Sequence, residues 1–377
     1  MLITACFVTR NHGSSLGASL ASVRALNAKL VVVDTGSMDR TIDVANQHGA
    51  TVVEFPWNDD FSTAQNAALD RATGDWILWL NPDEELDPQT VSLITRATED
   101  VDVFAYDVRI VHEFDAKRPG FGPVTWEPRL YRRDPAVRYY RRLHPAFVTP
   151  LADIAHRHGQ RVDALKASSI LHHGYLSTLT ADKLQWGVKL LEAELRDRPG
   201  QLDLTIELGR NALLLNDPRG HDILAQADEP VRAMAATGTA PPPAVGMFLE
   251  YLLTVSTEQR RSQISREEAT TLADRWFART PPVLWALSVE RYAAHDYPKC
   301  AERLNRLLAL GRSGEYDANA AFSTDILGPS AILNLGLCHF QMKQWEEAKA
   351  CFETLRTDPT RSQQAARLFA QACQNAK

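Results

Sequence analysis

The run Lys29-Leu-Val-Val-Val-Asp34, followed directly by Thr35-Gly-Ser-Met-Asp39, decides the fold of the first part of the chain. Its strand-forming residues are apolar on both faces, which is typical of a strand buried between two helical layers. The polar turn after it opens a helix that we expect to run to Gly49, with Ser37 or Asp39 as its N-cap. A buried strand that leads directly into a helix favours a parallel α/β sheet.

Strand and helix alternate on both sides of this run, as crossovers between parallel strands require. Further strands are predicted at 2–9, 51–57 and 75–80, and further helices at 16–26 and 61–72. After residue 80 the alternation becomes less regular. Strand-like runs follow at 101–111, 124–132 and 167–172. Turns rich in proline and glycine separate these runs, so we predict antiparallel edge strands added to a parallel core.

The second part of the chain is predicted to be all helical. From residue 180 onward strand signals disappear, and amphipathic segments with helical spacing follow one another. We therefore divide the chain into an α/β domain at 1–176 and an α-helical domain at 177–377.

A repeat is visible in this helical part. Its last copy contains Leu335-Gly336, Ala348, Phe352 and Pro359, at offsets close to those of the 34-residue tetratricopeptide helix pair. The small residues allow two helices to approach closely, and Phe352 fills the gap between them. Weaker copies contain Trp285, Tyr292, Ala301 and Leu308, and Leu208-Gly209 with Ala212. An irregular helical bundle is the alternative, because the spacing between copies varies.

Length, composition and charge limit the classes of protein. The chain has 377 residues, of which 45% are apolar and 23% charged, as in an ordinary globular protein of two domains. The net charge of -6 argues against a nucleic-acid partner, and no apolar run approaches the ~20 residues of a transmembrane helix. Five cysteines form no C-x-x-C pair, and we expect the first residues to form a strand rather than a signal peptide. We therefore expect a reduced, cytoplasmic compartment.

Polar residues follow three of the predicted parallel strands. They are Asn11 and His12, the turn 34–39 and the run 81–85. Ligands of open α/β sheets bind at the carboxyl ends of the strands. An acidic patch at that place grips phosphate through a divalent cation such as Mn²⁺ or Mg²⁺. The chain lacks G-x-G-x-x-G after the first strand and lacks G-x-x-x-x-G-K-[ST], which weakens the dinucleotide-binding and P-loop interpretations.

Three strings in the first 85 residues carry a family resemblance. They are Leu30-Val-Val-Val-Asp-Thr-Gly-Ser-Met-Asp-Arg-Thr, Phe55-Pro-Trp-Asn-Asp-Asp-Phe-Ser-Thr-Ala-Gln-Asn-Ala-Ala-Leu and Ala72-Thr-Gly-Asp-Trp-Ile-Leu-Trp-Leu-Asn-Pro-Asp-Glu-Glu. In order and spacing they resemble the family 2 glycosyltransferases of the GT-A fold, in the branch whose catalytic domain precedes tetratricopeptide repeats. Later motifs of that branch are matched by Glu127-Pro-Arg-Leu-Tyr-Arg-Arg, Leu143-His144 and Ile170-Leu-His-His-Gly-Tyr175.

The resemblance implies a site for a nucleotide-sugar donor. Asp34 would lie at the pyrimidine base, with Asp39 and Gln65 in the same donor site. The run Asn81-Pro-Asp83-Glu84 stands in the place of the family's Asp-x-Asp motif, which puts Asn81 near the ribose and Asp83 on the metal ion. By themselves, Asp34 and Asp39 also fit a helix-capping turn, and 83–85 also fits a solvated helix start.

Two later histidines are candidates for completing the metal shell. We prefer His172, which ends a strand, and His144 is the second choice, since a neutral imidazole suits Mn²⁺ and similar ions. Each histidine also fits a purely structural role, hydrogen-bonded within the fold.

Six arginines stand within fourteen residues. They are Arg129, Arg132, Arg133, Arg138, Arg141 and Arg142. The cluster would neutralise a diphosphate leaving group or meet an anionic acceptor, and its alternative is an exposed strand pair with charged faces. Arg129 is the best single candidate, because it matches the family pattern. Inversion at the sugar requires a carboxylate base, and we assign Glu127 to it, with Asp107 and Glu113 as alternatives.

The chain departs from the family pattern at four positions. His12 stands where the family has Glu, Gln65 where it has Arg, Asn81 where it has Asp, and Pro145 where it has Glu. Two functions therefore stay open. The first is a metal-dependent, inverting, hexosyltransferase-type enzyme that uses a UDP-sugar and an acceptor glycan, lipid or peptide recruited by the repeats. The second is a degenerate GT-A domain that acts as a binding or scaffold module.

Overall fold

The computed structural model describes residues 1–113, 124–173, 180–317, 322–358 and 360–375. The chain divides into two compact units, residues 1–199 and 200–377. The boundary predicted between 176 and 177 falls outside the described residues. The helix Ala181–Asp197, which the sequence assigned to the repeat region, belongs to the first unit.

The first unit combines strands with short helices. The strands are β1 Ile3–Thr9, β2 Lys29–Asp34, β3 Thr51–Glu54, β4 Trp76–Trp79, β5 Glu84–Leu86, β6 Val103–His112, β7 Val124–Arg132, β8 Tyr139–Tyr140, β9 Ala146–Phe147, β10 Arg161–Ala164 and β11 Ile170–His172. The helices are α1 Leu16–Ser22, α2 Thr41–Gln47, α3 Phe61–Arg71, α4 Pro88–Ala97, α5 Leu151–Arg157 and α6 Ala181–Asp197.

The central strand of the parallel region is β1. It pairs in parallel with β2 on one side and with β4 on the other, and β3 continues the parallel order beyond β2. The register sets Thr9 opposite Asp34 and Cys6 opposite Trp79. The carboxyl ends of these strands therefore meet at one edge of the sheet.

The strands after β4 differ from the predicted antiparallel edge. β7 is antiparallel to both of its neighbours, yet it lies inside the sheet between β4 and β6. β10 and β11 both pair in parallel with β6, and β5 closes this side antiparallel to β11. The prediction of antiparallel edge strands was therefore wrong in detail, because sequence runs show extended structure but not the partner of each strand.

The predicted burial of β2 on both faces is confirmed. Val32 packs with α1 on one side of the sheet, and Val31 and Val33 pack with α3 on the other. All three valines are buried. The run 84–86 forms β5 instead of a solvated helix start, and α4 begins only after Asp87, whose carboxylate accepts a hydrogen bond from the Gln89 amide at 2.9 Å.

The second unit is built from helices. They are α7 Leu202–Leu214, α8 Arg219–Ala225, α9 Asp228–Thr237, α10 Ala244–Thr254, α11 Arg266–Trp276, α12 Pro281–Ala293, α13 Tyr297–Ser313, α14 Pro329–Gln341, α15 Trp345–Thr354 and α16 Ser362–Asn375. No helix among the described residues is long and apolar enough to cross a membrane.

The last repeat copy forms the predicted helix pair, α14 and α15. Ala348 and Phe352 are fully buried, and a Cβ added at Gly336 would lie 2.5 Å from the Phe352 ring. A second close approach joins α7 to α8, where a Cβ at Gly209 would lie 2.6 Å from Leu224. Small residues therefore set the helix spacing at both pairs, as tetratricopeptide packing requires. Pro359 of the predicted repeat lies outside the described residues.

Two glycine substitutions within helices should change stability in opposite directions. Gly336→Ala should lower the free energy of unfolding by about 1–3 kcal/mol, because the added methyl group overpacks against Phe352. Gly187→Ala in α6 should raise it by about 0.5–1 kcal/mol, since nothing lies within 4 Å of the added Cβ and alanine favours the helix. Urea unfolding followed by circular dichroism measures both, and stabilisation by Gly336→Ala would contradict the packing.

Candidate functional site

A cavity of about 370 Å³ lies at the carboxyl ends of β1, β2 and β4. Its lining includes Thr9, Thr35, Asn81, Asp83, His172 and Trp186. The backbone amide and the hydroxyl of Thr35 both donate to the carbonyl of Thr9, at 2.9 and 3.1 Å, and so tie the ends of β1 and β2 together. This is the edge at which open α/β sheets bind ligands.

Hydrogen bonds to Glu84 hold the turn from β4 into β5. The carboxylate of Glu84 is only 1% exposed and accepts hydrogen bonds from the Asn81 backbone amide at 2.8 Å and the Asn81 side-chain amide at 3.0 Å. Arg129 donates two further bonds to it, each of 2.9 Å. With all these donors satisfied inside the turn, the residue between them, Asp83, is fixed at the cavity wall.

Asp83 meets His172 in this cavity. The Nε2 atom of His172 lies 3.5 Å from Oδ2 of Asp83. On the far side of the ring, Nδ1 of His172 lies 2.9 Å from Nδ1 of His112, and Nε2 of His112 lies 2.9 Å from the Thr125 hydroxyl. When Nε2 of His172 offers its lone pair to a cation, Nδ1 of His172 carries the proton and donates a hydrogen bond to Nδ1 of His112. His112 then donates from its Nε2 atom to Thr125.

Burial and neighbouring charges set the protonation of these groups. Burial alone would raise the pKa of Asp83, but the hydrogen bond from His172 and the charges of His172 and His12 bring it below its ordinary value. Burial by itself would lower the pKa of His172, but the hydrogen bond to Asp83 and the charges of Glu84 and Asp83 bring it above its ordinary value. Burial, together with the charge of His172, lowers the pKa of His112 to about 4, so His112 is neutral at physiological pH.

Asp83 and His172 are a donor pair that fits a divalent cation. A carboxylate oxygen and an imidazole nitrogen suit Mn²⁺ better than Mg²⁺, which prefers oxygen alone. Within the described ranges, no group of three or more His, Cys, Asp or Glu residues is arranged to hold a metal ion. A bound cation would take its remaining ligands from a ligand and from water. His144 lies between β8 and β9 and is not among the described residues that line the cavity.

Asp34 and Asp39 hold turns beside the cavity. Asp34 is 2% exposed, and its carboxylate accepts the backbone amides of Gly36 and Ser37 at 3.0 and 2.8 Å. Asp39 accepts the amides of Gly13 and Thr41 at 2.9 and 3.0 Å. The hydrogen bond from the Thr41 hydroxyl, and after it the one from the Gly13 amide, lower the pKa of Asp39. Neither aspartate caps a helix, because α2 begins at Thr41 with Arg40 as its N-cap, so the predicted N-cap at Ser37 or Asp39 was wrong. The hydrogen bonds of the two aspartates fix the turns after β1 and β2.

The arginine cluster is engaged in the fold. Arg129 is 6% exposed and binds Glu84 and Glu127. The other arginines with described partners bind backbone carbonyls or surface acids. Arg132 donates to Val103 and Asp100, Arg133 to Gly74, Arg138 to Asp70 and Arg142 to Asp197. None of the six is among the described residues that line the cavity.

Glu127, like Gln65, is not among the described residues that line the cavity. The carboxylate of Glu127 is 47% exposed and accepts a 3.1 Å hydrogen bond from Nε of Arg129. Gln65 lies on α3, and its Oε1 atom is buried without a hydrogen-bond partner in the described structure.

Several lining residues were missed by the sequence analysis. Trp57, Phe61 and Trp186 form an aromatic wall, with ring centroids 4.9 to 5.9 Å apart. Trp57 and Phe61 stand in one of the strings that carry the resemblance, so their positions were visible. Trp186 comes from α6, which the sequence assigned to the helical domain. Only the three-dimensional structure brings it to this cavity.

The Arg129–Glu84 pair can be tested against its exposed neighbour Glu127. Arg129→Met should lower the free energy of unfolding by about 3–5 kcal/mol, because it leaves the Glu84 carboxylate buried without its cation. Glu127→Gln should change it by no more than about 0.5 kcal/mol, since this carboxylate is half exposed. Chemical unfolding compares the two, and equal effects would show that Glu84 is not held by Arg129.

Comparison with known proteins connects this geometry to a family. Residues 4–164 match the glycosyl transferase family 2 model. A TPR repeat-containing protein of Synechococcus elongatus is 32% identical over 213 residues, which are 55% of this chain and 51% of that protein. An uncharacterized glycosyltransferase of Rickettsia felis is 29% identical over 136 residues, 35% of this chain and 48% of that protein. The chain thus spans about half the length of the curated relatives it matches.

Solved structures align more loosely. Residues 1–349 of S. aureus TarS, in complex with UDP-GlcNAc, align with a TM-score of 0.39 and 14% identity over 74% of this chain and 93% of that chain. Glucosyl-3-phosphoglycerate synthase from Mycobacterium tuberculosis, in complex with Mn²⁺, UDP and phosphoglyceric acid, aligns with a TM-score of 0.35 and 17% identity. This alignment covers 52% of this chain and 78% of that chain. The family match covers β1 to β10. The N-terminal unit therefore contains a region that resembles the glycosyl transferase family 2 domains, and a tetratricopeptide-like helical unit follows it in the chain.

Proposed function

We propose that the chain is a metal-dependent, inverting glycosyltransferase that takes a sugar from a UDP-linked donor. One observation carries this proposal. In the unit whose residues 4–164 match the family 2 model, a cavity at the carboxyl ends of β1, β2 and β4 gathers Asn81, Asp83 and His172. Its volume of about 370 Å³ is within the range of small-ligand sites.

The donor would lie across this cavity. Asp83 and His172 are the residues that would hold Mn²⁺, and the bound ion would neutralise charge on the leaving diphosphate. The amide group of Asn81 donates to Glu84, so its carbonyl oxygen is the atom that would accept from a ribose hydroxyl. The wall of Trp57, Phe61 and Trp186 offers flat apolar surfaces on which a ring of the substrate would stack.

Glu127 remains our proposal for the catalytic base. A base must reach the proton that it removes, so an exposed carboxylate is the better candidate. Glu127 is 47% exposed, whereas Glu113 is almost completely buried and lies 2.7 Å from Nδ1 of His173. Burial and the charge of Glu127 raise the pKa of Asp107. A raised pKa suits a general base, so Asp107 stays the alternative to Glu127.

The scaffold function remains the second candidate. It is favoured by the absence, among the described residues, of a cluster of three metal-binding side chains, and by the neutral Gln65. In that case the helical unit would supply the interaction surface for a partner. Nucleotide binding separates the two functions.

UDP should bind the wild-type protein when Mn²⁺ is present and lose most of its affinity in EDTA. Asp83→Asn should reduce the affinity by at least about tenfold, because it removes the anionic oxygen that holds the cation. Isothermal titration calorimetry measures these affinities.

Glu127→Gln is the matched control, since it also removes one carboxylate but at a residue outside the described lining of the cavity. It should leave UDP affinity unchanged and abolish UDP release from UDP-sugars. No UDP binding by the folded wild-type protein would instead support the scaffold function. Normal turnover of Glu127→Gln would remove Glu127 from the mechanism.

His112 should act as a positioning residue for His172. His112→Leu removes the acceptor for Nδ1 of His172 and should weaken Mn²⁺ binding, measured with UDP present, by about 10- to 100-fold. His112→Asn keeps an acceptor at a similar place and should retain most of the affinity. Electron paramagnetic resonance of free Mn²⁺ reports both, and equal losses in the two variants would contradict the orienting role.

A further inference from the structure

The cavity contains a cation that the family motifs did not identify. Arg10 directly follows the last residue of β1 and lines the cavity together with Asn81, Asp83 and His172. Its side chain is exposed and makes no hydrogen bond or ion pair with any residue in the described ranges. A guanidinium group that faces a cavity without a protein partner has its five N–H donors free for a ligand.

The other candidate cations are engaged elsewhere. Arg129 is buried in its bidentate pair with Glu84. Arg138 and Arg142 form ion pairs with Asp70 and Asp197. Gln65, at the position where the family carries a cation, is neutral. Among the described lining residues, Arg10 is therefore the permanent cation that can meet an anionic ligand.

The electrostatics of the cavity require such a charge. Glu84 is already neutralised by Arg129, whereas Asp83 presents a carboxylate to the cavity. A diphosphate brings two or more negative charges to the same place, and one divalent cation bound at Asp83 leaves part of that charge unbalanced. Arginine suits this task because its planar fork binds phosphate oxygens through two parallel hydrogen bonds.

We propose that Arg10 binds the diphosphate of the nucleotide donor and supplies the positive charge that Gln65 lacks. This inference rests on the proposed function and adds a binding residue to it. Arg10 contacts the leaving group from the β1 side of the cavity, and Asp83 and His172 hold the cation from the β4 and β11 sides. The leaving group is thereby bound between two centres of positive charge.

Calorimetric titration of UDP and of uridine, both with Mn²⁺, tests the inference. Arg10→Gln should lower UDP affinity by about 10- to 100-fold, the loss expected for charge-assisted hydrogen bonds to phosphate. Its uridine affinity should stay within twofold of wild type, because uridine has no phosphate. Arg10→Lys should fall between Arg10→Gln and wild type, since it keeps the charge and loses the fork.

Arg138→Gln is the matched control from the arginine cluster. Its side chain is exposed and paired with Asp70, so UDP affinity should not change. Thermal unfolding checks that each variant is folded.

If wild type binds UDP and Arg10→Gln binds it equally well, the inference is wrong and the proposed function stands. Equal losses for UDP and uridine would also overturn the inference, because the contact would then be to the nucleoside. If wild type does not bind UDP at all, both the inference and the proposed function fail.

Discussion

The ion pair between Arg129 on β7 and Glu84 on β5 connects parts of the sheet that are distant in sequence. A buried carboxylate is costly unless its oxygens are fully hydrogen-bonded, and here Arg129 and Asn81 supply four donors. Arg129 also donates to the carbonyl of Trp79 at 3.4 Å, so it grips both ends of the turn that carries Asp83. The shape of the cavity edge depends on this one pair.

The same pair gives a physical reason for the departure at residue 81. The side-chain amide of Asn81 donates to the carboxylate of Glu84, whereas an aspartate at this place would set a second carboxylate against it. Asn81 therefore fits the buried turn of this chain. The departure at Gln65 is of another kind. It removes a positive charge from the family pattern, and its buried oxygen has no hydrogen-bond partner among the described residues.

Much of the fold could be predicted from local pattern. β2 and β7 have the predicted bounds, and the close packing of Gly336 against Phe352 follows from their spacing. The approach of Asp83 to His172 could also be anticipated, because both stand at strand ends in motifs of one family.

Pairings between residues far apart in the sequence could not be predicted. The position of β7 inside the sheet, the arrival of Trp186 from α6 and the support of His172 by His112 leave no periodic signal in the sequence. The arginine cluster suggested a phosphate site, but backbone carbonyls and surface acids bind most of its members.

The proposed function requires that the cavity beside Asp83 bind a cation and a nucleotide together. Diffraction from crystals grown with UDP and Mn²⁺, recorded at the manganese edge, locates both ligands. We expect one anomalous peak at coordination distance, about 2.0–2.6 Å, from Oδ2 of Asp83 and Nε2 of His172, with diphosphate density between that peak and Arg10. A nucleotide bound elsewhere, or a cavity without anomalous signal at saturating Mn²⁺ and UDP, would show that Asp83 and His172 do not form the donor site.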